Sequence, residues 1–332
     1  MAAVVLLVAV LAPLIFNEYW VATLLTQVMF LGIVAASLIF LSAYGGMVSL
    51  AQVGLYGIAG FALGNLTTNG NTKGLNLGWA EVPGVAMALV IAVVTAFVFG
   101  ALASRSFGIY FLMITLVFSV IANLFFGQVT SVSGFGGISG IPIPDFISRT
   151  AHPDRLYLLT LAIALLVYAG LRYVARTPFG LTLQGIRDDP VRMSSLGYNV
   201  TLHRTLAFAF GGLIAGIGGI LFVWWNAQIA PSTIGLGSTI DVLVIAVIGG
   251  LYRLEGAWLG ALVFVLINNY AQDVSFIGDR FHTLIGLIFL VIVLVSPNGL
   301  IGLWERLFPA PRSAPTGDVA TERGSTELTP AG

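Results

Sequence analysis

The sequence predicts an all-α membrane protein, polytopic, with about ten transmembrane or half-spanning helices and both termini on the cytoplasmic side. Three observations carry that expectation. Of 332 residues, 58% are hydrophobic and 8% charged, against about 25% charged in an ordinary soluble domain. Apolar runs near the roughly 20 residues that cross a hydrocarbon core of about 30 Å recur from one end to the other. Arginines gather in alternate connections between those runs.

Bounded by Gly, Pro, Asn or charge, the runs fall at about 2–16, 19–42, 47–66, 79–103, 107–127, 155–174, 205–225, 239–252, 256–272 and 281–298. The first lies in "MAAVVLLVAVLAPLIFNEYW", which has no basic start and no small-residue cleavage site, so it reads as a retained helix. The run at 47–66 is rich in glycine and carries Ser49, Gln52 and Asn65, and the run at 239–252 is short. Such segments pass a bilayer only where protein or a water-filled cavity satisfies their backbone.

Orientation follows from the basic residues. With the segment Arg176 to Asn199 cytoplasmic, alternation puts Arg105, Arg172, Arg176, Arg187, Arg192, Arg204, Arg253, Arg306, Arg312 and Arg323 inside. Lys73, Arg149, Arg155 and Arg280 fall outside, ten against four. Residues 1–303 then form the membrane domain, with a cytoplasmic loop at about 175–204. Residues 304–332, dominated by Pro, Ala, Thr, Ser and Gly, form a disordered cytoplasmic tail. Two outer connections are long, one from Thr67 and one from Gly127; Pro142 and Pro144 with apolar neighbours predict that the second packs against the bundle.

Composition excludes several chemistries. Cysteine is absent, so there is neither a disulfide framework nor a thiolate metal site. His152, His203 and His282 are far apart, and no metal site is expected. Zero net charge gives no reason to expect nucleic acid. The one lysine, Lys73, precedes glycine, so the phosphate-gripping G-x-x-x-x-G-K-[ST] loop is missing. Uphill transport would take its nucleotide hydrolysis from another chain. Within the spans only Glu81 and Asp241 are acidic, each near an outer helix end, and Asp241 reads as an acid of the N-cap region. That argues against a buried proton or sodium relay. No one-sided acid/base set points to an enzyme.

Small residues cluster instead. Gly45, Gly46, Ser49, Gln52, Gly54, Gly57 and Gly60 lie along one short helix candidate. Ser133, Gly134, Gly136, Gly137, Ser139 and Gly140 lie in the outer loop. Such clusters serve close helix packing, or line a polar path whose backbone bonds a small zwitterion or amide. On either reading Ser49 and Gln52 need a polar partner. "YGGMVSLAQVGLYGIAG" at Tyr44 and "IGGLYRLEGAWLGALV" at Ile248 share a Gly pair between two helices, the pattern of a parallel repeat.

The one long polar stretch, "RTPFGLTLQGIRDDPVRMSSLGYN", predicts a short cytoplasmic helix at about Pro190 to Leu196. Asp188 or Asp189 caps it, Pro190 opens its first turn and Gly197 stops it. About seven residues are too few for a stable isolated helix. It is therefore held by its own protein or docked in a partner, unless the stretch is a solvated connector.

The same stretch, continued to Phe222, resembles the cytoplasmic loop and following helix of the branched-chain amino acid ABC transporter permeases, M-type subunit. The matching positions are Pro178, Gly180, Arg187, Asp188, Asp189, Leu196, Gly197 and Asn199. "YGGMVSLAQVGLYGIAGF", "SVSGFGGISGIP" and "VIGGLYRLEGAWLGALV" resemble three further segments of that family, so the likeness covers about residues 30 to 300. Departures from its pattern are Val132, Ser133, Gly134 and Gly136 in the outer loop, Tyr252 with Arg253 and Glu255, and Ala51.

The resemblance implies a polytopic permease of a bacterial-type inner membrane that binds no cofactor itself. It would pair with a second permease subunit, two cytoplasmic ATPases that hydrolyse ATP, and a periplasmic substrate-binding protein. The loop, with Pro190 and Arg192 in its short helix, would be the ATPase-coupling element. Gly45, Gly46, Ser49, Gln52, Gly54, Gly57, Ser133, Gly134, Gly136, Gly137 and Ser139 would be the tentative substrate path. The implied cargo is a branched-chain or other hydrophobic amino acid; the alternatives are a urea or short-amide importer, or a passive small-solute channel.

Overall fold

A computed structural model describes residues 20–69, 74–144, 147, 153–271, 286–287, 290 and 299–300. The expected span at 2–16 and the tail at 304–332 lie outside the described residues, as does the expected span at 281–298 apart from residues 286, 287 and 290. The other eight expected spans are all helices. A π-helical turn, Trp20–Leu25, leads into α1 (Thr26–Gly45). Then come α2 (Gln52–Thr67), α3 (Glu81–Ala103), α4 (Gly108–Gln128) and α5 (Pro153–Arg176). The polar stretch holds two short helices, α6 (Pro178–Asp188) and α7 (Pro190–Ser195). The chain ends its described bundle with α8 (Val200–Asn226), α9 (Leu236–Gly249) and α10 (Gly256–Ala271).

Five of these are long and apolar enough to cross a membrane: Thr23–Gly45, Glu81–Ala103, Gly108–Gln128, Asp154–Arg176 and Val200–Asn226. The helix α2 is not, since 16 residues rise about 24 Å at 1.5 Å per residue. Every residue of α2 except Ala62 is buried, so protein rather than lipid surrounds it.

The bundle is built around α8. Lipid is as apolar as leucine, so helices cohere in it by close approach, which small residues permit. On α3 the buried positions are Gly84, Ala88, Ala92, Ala96, Gly100 and Ala103. The first five recur at every fourth residue, a single stripe. The opposite side, with Val82, Val90, Val94, Phe97, Val98 and Leu102, is exposed and purely apolar, as a lipid-facing surface is. The stripe meets α8, where a methyl group added to Gly212 would stand 2.3 Å from the Ala96 Cβ. A methyl at Gly219 would stand 2.0 Å from the Tyr56 carbonyl oxygen of α2.

Alternation of the described spans is visible at both ends. At one end β1 (Ile138–Ser139), which follows α4, pairs antiparallel with β2 (Gln228–Ile229), which follows α8, with Ile138 opposite Ile229. Ile138 and Ile141 are buried, so this part of the long outer loop is packed, as its composition predicts. Gly137 has φ +70°, and a Cβ there would lie 2.2 Å from the Ile229 carbonyl oxygen. At the other end are Arg105, Arg172, Arg176, Arg187, Arg192, Arg204 and Arg253; Arg155 alone of the described basic residues lies at the strand end. The Gly pairs noted in the sequence both terminate helices. Gly46, φ 61°, caps α1 and Gly250, φ 115°, caps α9, and each is followed by a connection of equal length to the next helix.

Packing through Gly219 predicts that Gly219→Ala lowers stability in detergent by about 1–3 kcal/mol, the usual cost of overpacking. Gly170, with nothing within 4 Å of an added Cβ, predicts a neutral or slightly raised melting temperature for Gly170→Ala. Thermal unfolding of both variants measures the difference.

Candidate functional site

The polar stretch is more structured than the sequence suggests. Its first half, expected as part of the loop, is the helix α6. Thr177 is its N-cap, its hydroxyl accepting from the Gly180 N–H at 3.4 Å, with Pro178 in the first turn. That Thr-Pro pair is a helix-start signal that the search for apolar runs passes over. Gly180 is a close approach, since a Cβ there would lie 2.2 Å from the Val174 carbonyl oxygen. Gln184 donates to the Ala175 carbonyl at 3.0 Å, and Leu183 and Ile186 are buried.

Arg187 ties α6 to the bundle. Its guanidinium donates to the Ala43 carbonyl of α1 and pairs with Asp188 at 2.8 Å. Its Cγ occupies the space that a Cβ on Gly46 would need, at 2.7 Å, while Leu183 lies beside Gly45. Gly45 and Gly46, tentatively placed on the substrate path, therefore sit against α6.

The second half forms α7, one residue shorter than expected. Asp189, not Asp188, caps it, its carboxylate accepting from the Val191 and Arg192 N–H groups at 3.0 and 2.9 Å. Pro190 opens it, and Gly197, φ 91°, turns the chain after Leu196. Asn199 then caps α8, accepting from the Leu202 N–H at 3.0 Å. No residue of α7 is buried, and Val191 and Leu196 stand 75% and 66% exposed. Two large apolar side chains thus project from the most polar segment of the protein.

Behind this element, α8 is anchored by a cation that sequence reading counted only as charge. Arg204 is buried. It donates to the Ser104 carbonyl at 2.7 Å and toward the Met47 sulfur at 3.1 Å, and lies over the Phe107 ring at 4.1 Å. Carbonyl, thioether and aromatic face replace a carboxylate partner. The neighbouring hydroxyls of Ser104 and Thr205 are 2.9 Å apart. On the other flank Glu255 accepts from Arg172 and from the Tyr168 hydroxyl, both at 2.7 Å. Burial raises the Glu255 carboxyl, but the Tyr168 bond, its own backbone and Arg172 outweigh that and hold it below its usual value. Arg172 and Glu255 border an open groove of about 540 Å³ that Arg176, Gln184 and Tyr252 also line.

The other tentative path residues are held within the protein. Ser49 lies in the irregular connection from Gly46 to Ala51, not in the helix. That backbone is satisfied locally, with Met47 N–H bonded to Leu41 carbonyl at 3.0 Å and Leu50 N–H to the Thr115 hydroxyl at 3.1 Å. Ser49 and Gln52 are fully buried; Gln52 accepts from the Ser37 hydroxyl at 3.1 Å and donates to Ser49 at 3.5 Å. The partner they require is protein. Gly54 faces Ser119 of α4 and Gly57 faces Ile234, both as close approaches. Ser133 and Gly134 are buried in the outer loop, while Gly136 and Ser139 are exposed.

Asp241 corrects the sequence expectation. The helix α9 starts at Leu236 with Gly235 as its cap and has no acid in its first turn, so Asp241 lies beyond the N-cap region. It lines a cavity of about 170 Å³ between α1, α2, α8, α9 and α10. Among the described residues no group of three or more His, Cys, Asp or Glu is gathered. His203 stacks on Phe179 at 5.8 Å.

Comparison with known proteins adds to this geometry. The family model for the branched-chain amino acid transport system permease component matches residues 20–294. The high-affinity branched-chain amino acid transport system permease protein LivM of Escherichia coli K12 is 25% identical over 300 residues, 83% of this chain and 68% of that one. LivH, the permease protein of the same name series in that organism, is 23% identical, covering 83% of this chain and 95% of its own. The guanosine ABC transporter permease protein NupQ of Bacillus subtilis is 30% identical over 148 residues, 43% of this chain and 42% of its own. No solved structure matches.

The geometry separates a buried, anchored arginine from an exposed one. Arg204→Met should lower stability by about 1.5–3 kcal/mol, the worth of hydrogen bonds from a charged donor. Arg192→Met, on exposed α7, should leave the melting temperature unchanged; thermal unfolding in detergent checks both.

Proposed function

The chain belongs to the branched-chain amino acid transport system permease family, and from that premise we propose that it is the membrane permease subunit of an ATP-driven importer of branched-chain or similar hydrophobic amino acids. The observation that carries the mechanism is α7: a capped helix with no buried residue, carrying exposed Val191 and followed by exposed Leu196, set on α6, which is itself bonded to α1 and α5. Exposed apolar residues of this kind mark a docking surface. Its partner in this proposal is a cytoplasmic ATPase subunit, which supplies the nucleotide site missing from the sequence.

The assembly we propose has a second permease chain, two ATPase subunits and a binding protein that delivers cargo from the opposite side. The excess of arginines at the α6–α7 end supports a cytoplasmic location for it, in an inner membrane of bacterial type. Nucleotide-driven closure of the ATPases moves α7, and α6 passes the displacement to the ends of α1 and α5. The bundle then rocks as a unit between inward- and outward-open states. This chain contributes no cofactor to that cycle. The passive-channel reading has no comparable use for a capped helix presented on the surface.

Reconstituted with its partner subunits, Gly197→Val should uncouple ATP hydrolysis from amino-acid uptake, because φ 91° is strained for any L side chain. Asp189→Lys removes the cap of α7, worth about 1 kcal/mol, and should do the same. Both variants should insert normally. Wild-type uptake in both would contradict the proposal, as would cargo flux through liposomes holding this chain alone.

A further inference from the structure

We propose that the groove at the arginine-rich end of α5 seats the phosphate of an anionic phospholipid, and that Arg176 is the residue that binds it. Such a seat depends neither on the cargo nor on the importer reading above.

Position points to the lipid. The helix α5 has 24 residues, about 36 Å at 1.5 Å each, slightly more than a hydrocarbon core of about 30 Å. Its last turn therefore stands at headgroup depth. The large apolar side chains that α5 exposes are Leu158, Leu165, Leu166 and Tyr173, a surface suited to acyl chains. Leu158 and Arg176 are about five turns apart and so share a face, and Arg176 is exposed. The lipid-facing side of α5 thus runs into Arg176, with Tyr173 beside it where aromatic rings gather at a membrane boundary.

Chemistry points to the phosphate. The groove, open and about 540 Å³, lies between α1, α5, α6 and the connection from α9 to α10. Tyr44, Arg172, Arg176, Gln184, Arg253 and Glu255 bring its polar groups. Glu255 would repel an anion, but Arg172 pairs with it at 2.7 Å and the Tyr168 hydroxyl donates to it. Gln184 commits its amide group to the Ala175 and Gly180 carbonyls, and Arg253 has an interaction of its own. The anion therefore falls to Arg176, whose guanidinium has no hydrogen-bond or ion-pair partner among the described residues. Its planar fork of N–H donors matches phosphate oxygens, and the Tyr44 hydroxyl lines the same groove as a further donor. Basic pockets between helices at this depth take anionic headgroups, while the acyl chains lie along the exposed leucines of α5.

The test titrates phosphatidylglycerol, phosphatidylcholine or inorganic phosphate into the full chain in detergent and follows thermal unfolding. Phosphatidylglycerol should raise the melting temperature at lower concentration than phosphatidylcholine, and inorganic phosphate should leave it unchanged. Arg176→Met should raise the half-maximal phosphatidylglycerol concentration about ten-fold or more, the loss of charge-assisted hydrogen bonds. Arg105→Met, which removes another exposed arginine at the same end, should leave it unchanged. If Arg176→Met does not insert, Tyr44→Phe is read in its place and should weaken the lipid several-fold. Wild-type affinity in the variant that is read overturns the proposal, as does an Arg105→Met variant weakened as much as Arg176→Met. Equal stabilisation by phosphatidylcholine overturns it too, and equal stabilisation by inorganic phosphate would make a free anion the ligand instead. No preference for phosphatidylglycerol, with Arg176→Met losing association with the ATPase subunits, would assign the groove to an acidic protein segment and overturn the lipid.

Discussion

Close backbone approach along α8 is the constraint on which the rest of the structure depends. In a bilayer, apolar side chains gain nothing by leaving lipid for protein, so cohesion comes from packing distance and from hydrogen bonds. The helix α8 meets three neighbours through three glycine faces: Gly218 against Val34 of α1, Gly219 against Tyr56 of α2, and Gly212 against Ala96 of α3. Those contacts bury α2, a helix too short to span alone. Burial of α2 in turn allows the irregular backbone from Gly46 to Ala51, because Leu41 and Thr115 can satisfy it.

The same packing seats the polar segment on a rigid base. The helix α6 is seated by a threonine cap, a glycine contact with α5 and an arginine bonded to the end of α1. Arg204 clamps the start of α8 to the end of α3 nearby. Force applied to α7 therefore meets no slack before it reaches the bundle. A helix of six residues would not persist in water by itself; here Asp189, Gly197 and the seated α6 define it.

The long spans were legible because run length alone identifies them in so apolar a chain. The two weak spans were legible as weak, and α2 is buried in protein as its composition required. The helix α6 was not, because Phe179, Leu183 and Ile186 are too few to register as an apolar run, although Thr177 and Pro178 mark its start. The glycines announced close approach without naming the neighbour: Gly46 meets Arg187 and Gly219 meets Tyr56, each more than a hundred residues away in sequence. Asp241 was misplaced because the apolar run was read from residue 239, three residues inside the helix that begins at Leu236. Polar residues on separate helices, such as Gln27 and Asn268, show no pattern in sequence that would gather them with it.

In the proposed mechanism α6, α7 and the bundle move as one body. The chain has no native cysteine, so spin labels can be placed singly at exposed Val191 on α7 and Val90 on α3. Their separation in the assembled transporter, measured by pulsed electron resonance with and without nucleotide, tests the claim directly. Rigid coupling gives a narrow distribution that nucleotide does not shift. A broad distribution, or one displaced by nucleotide, would show α7 moving independently of the bundle and contradict it.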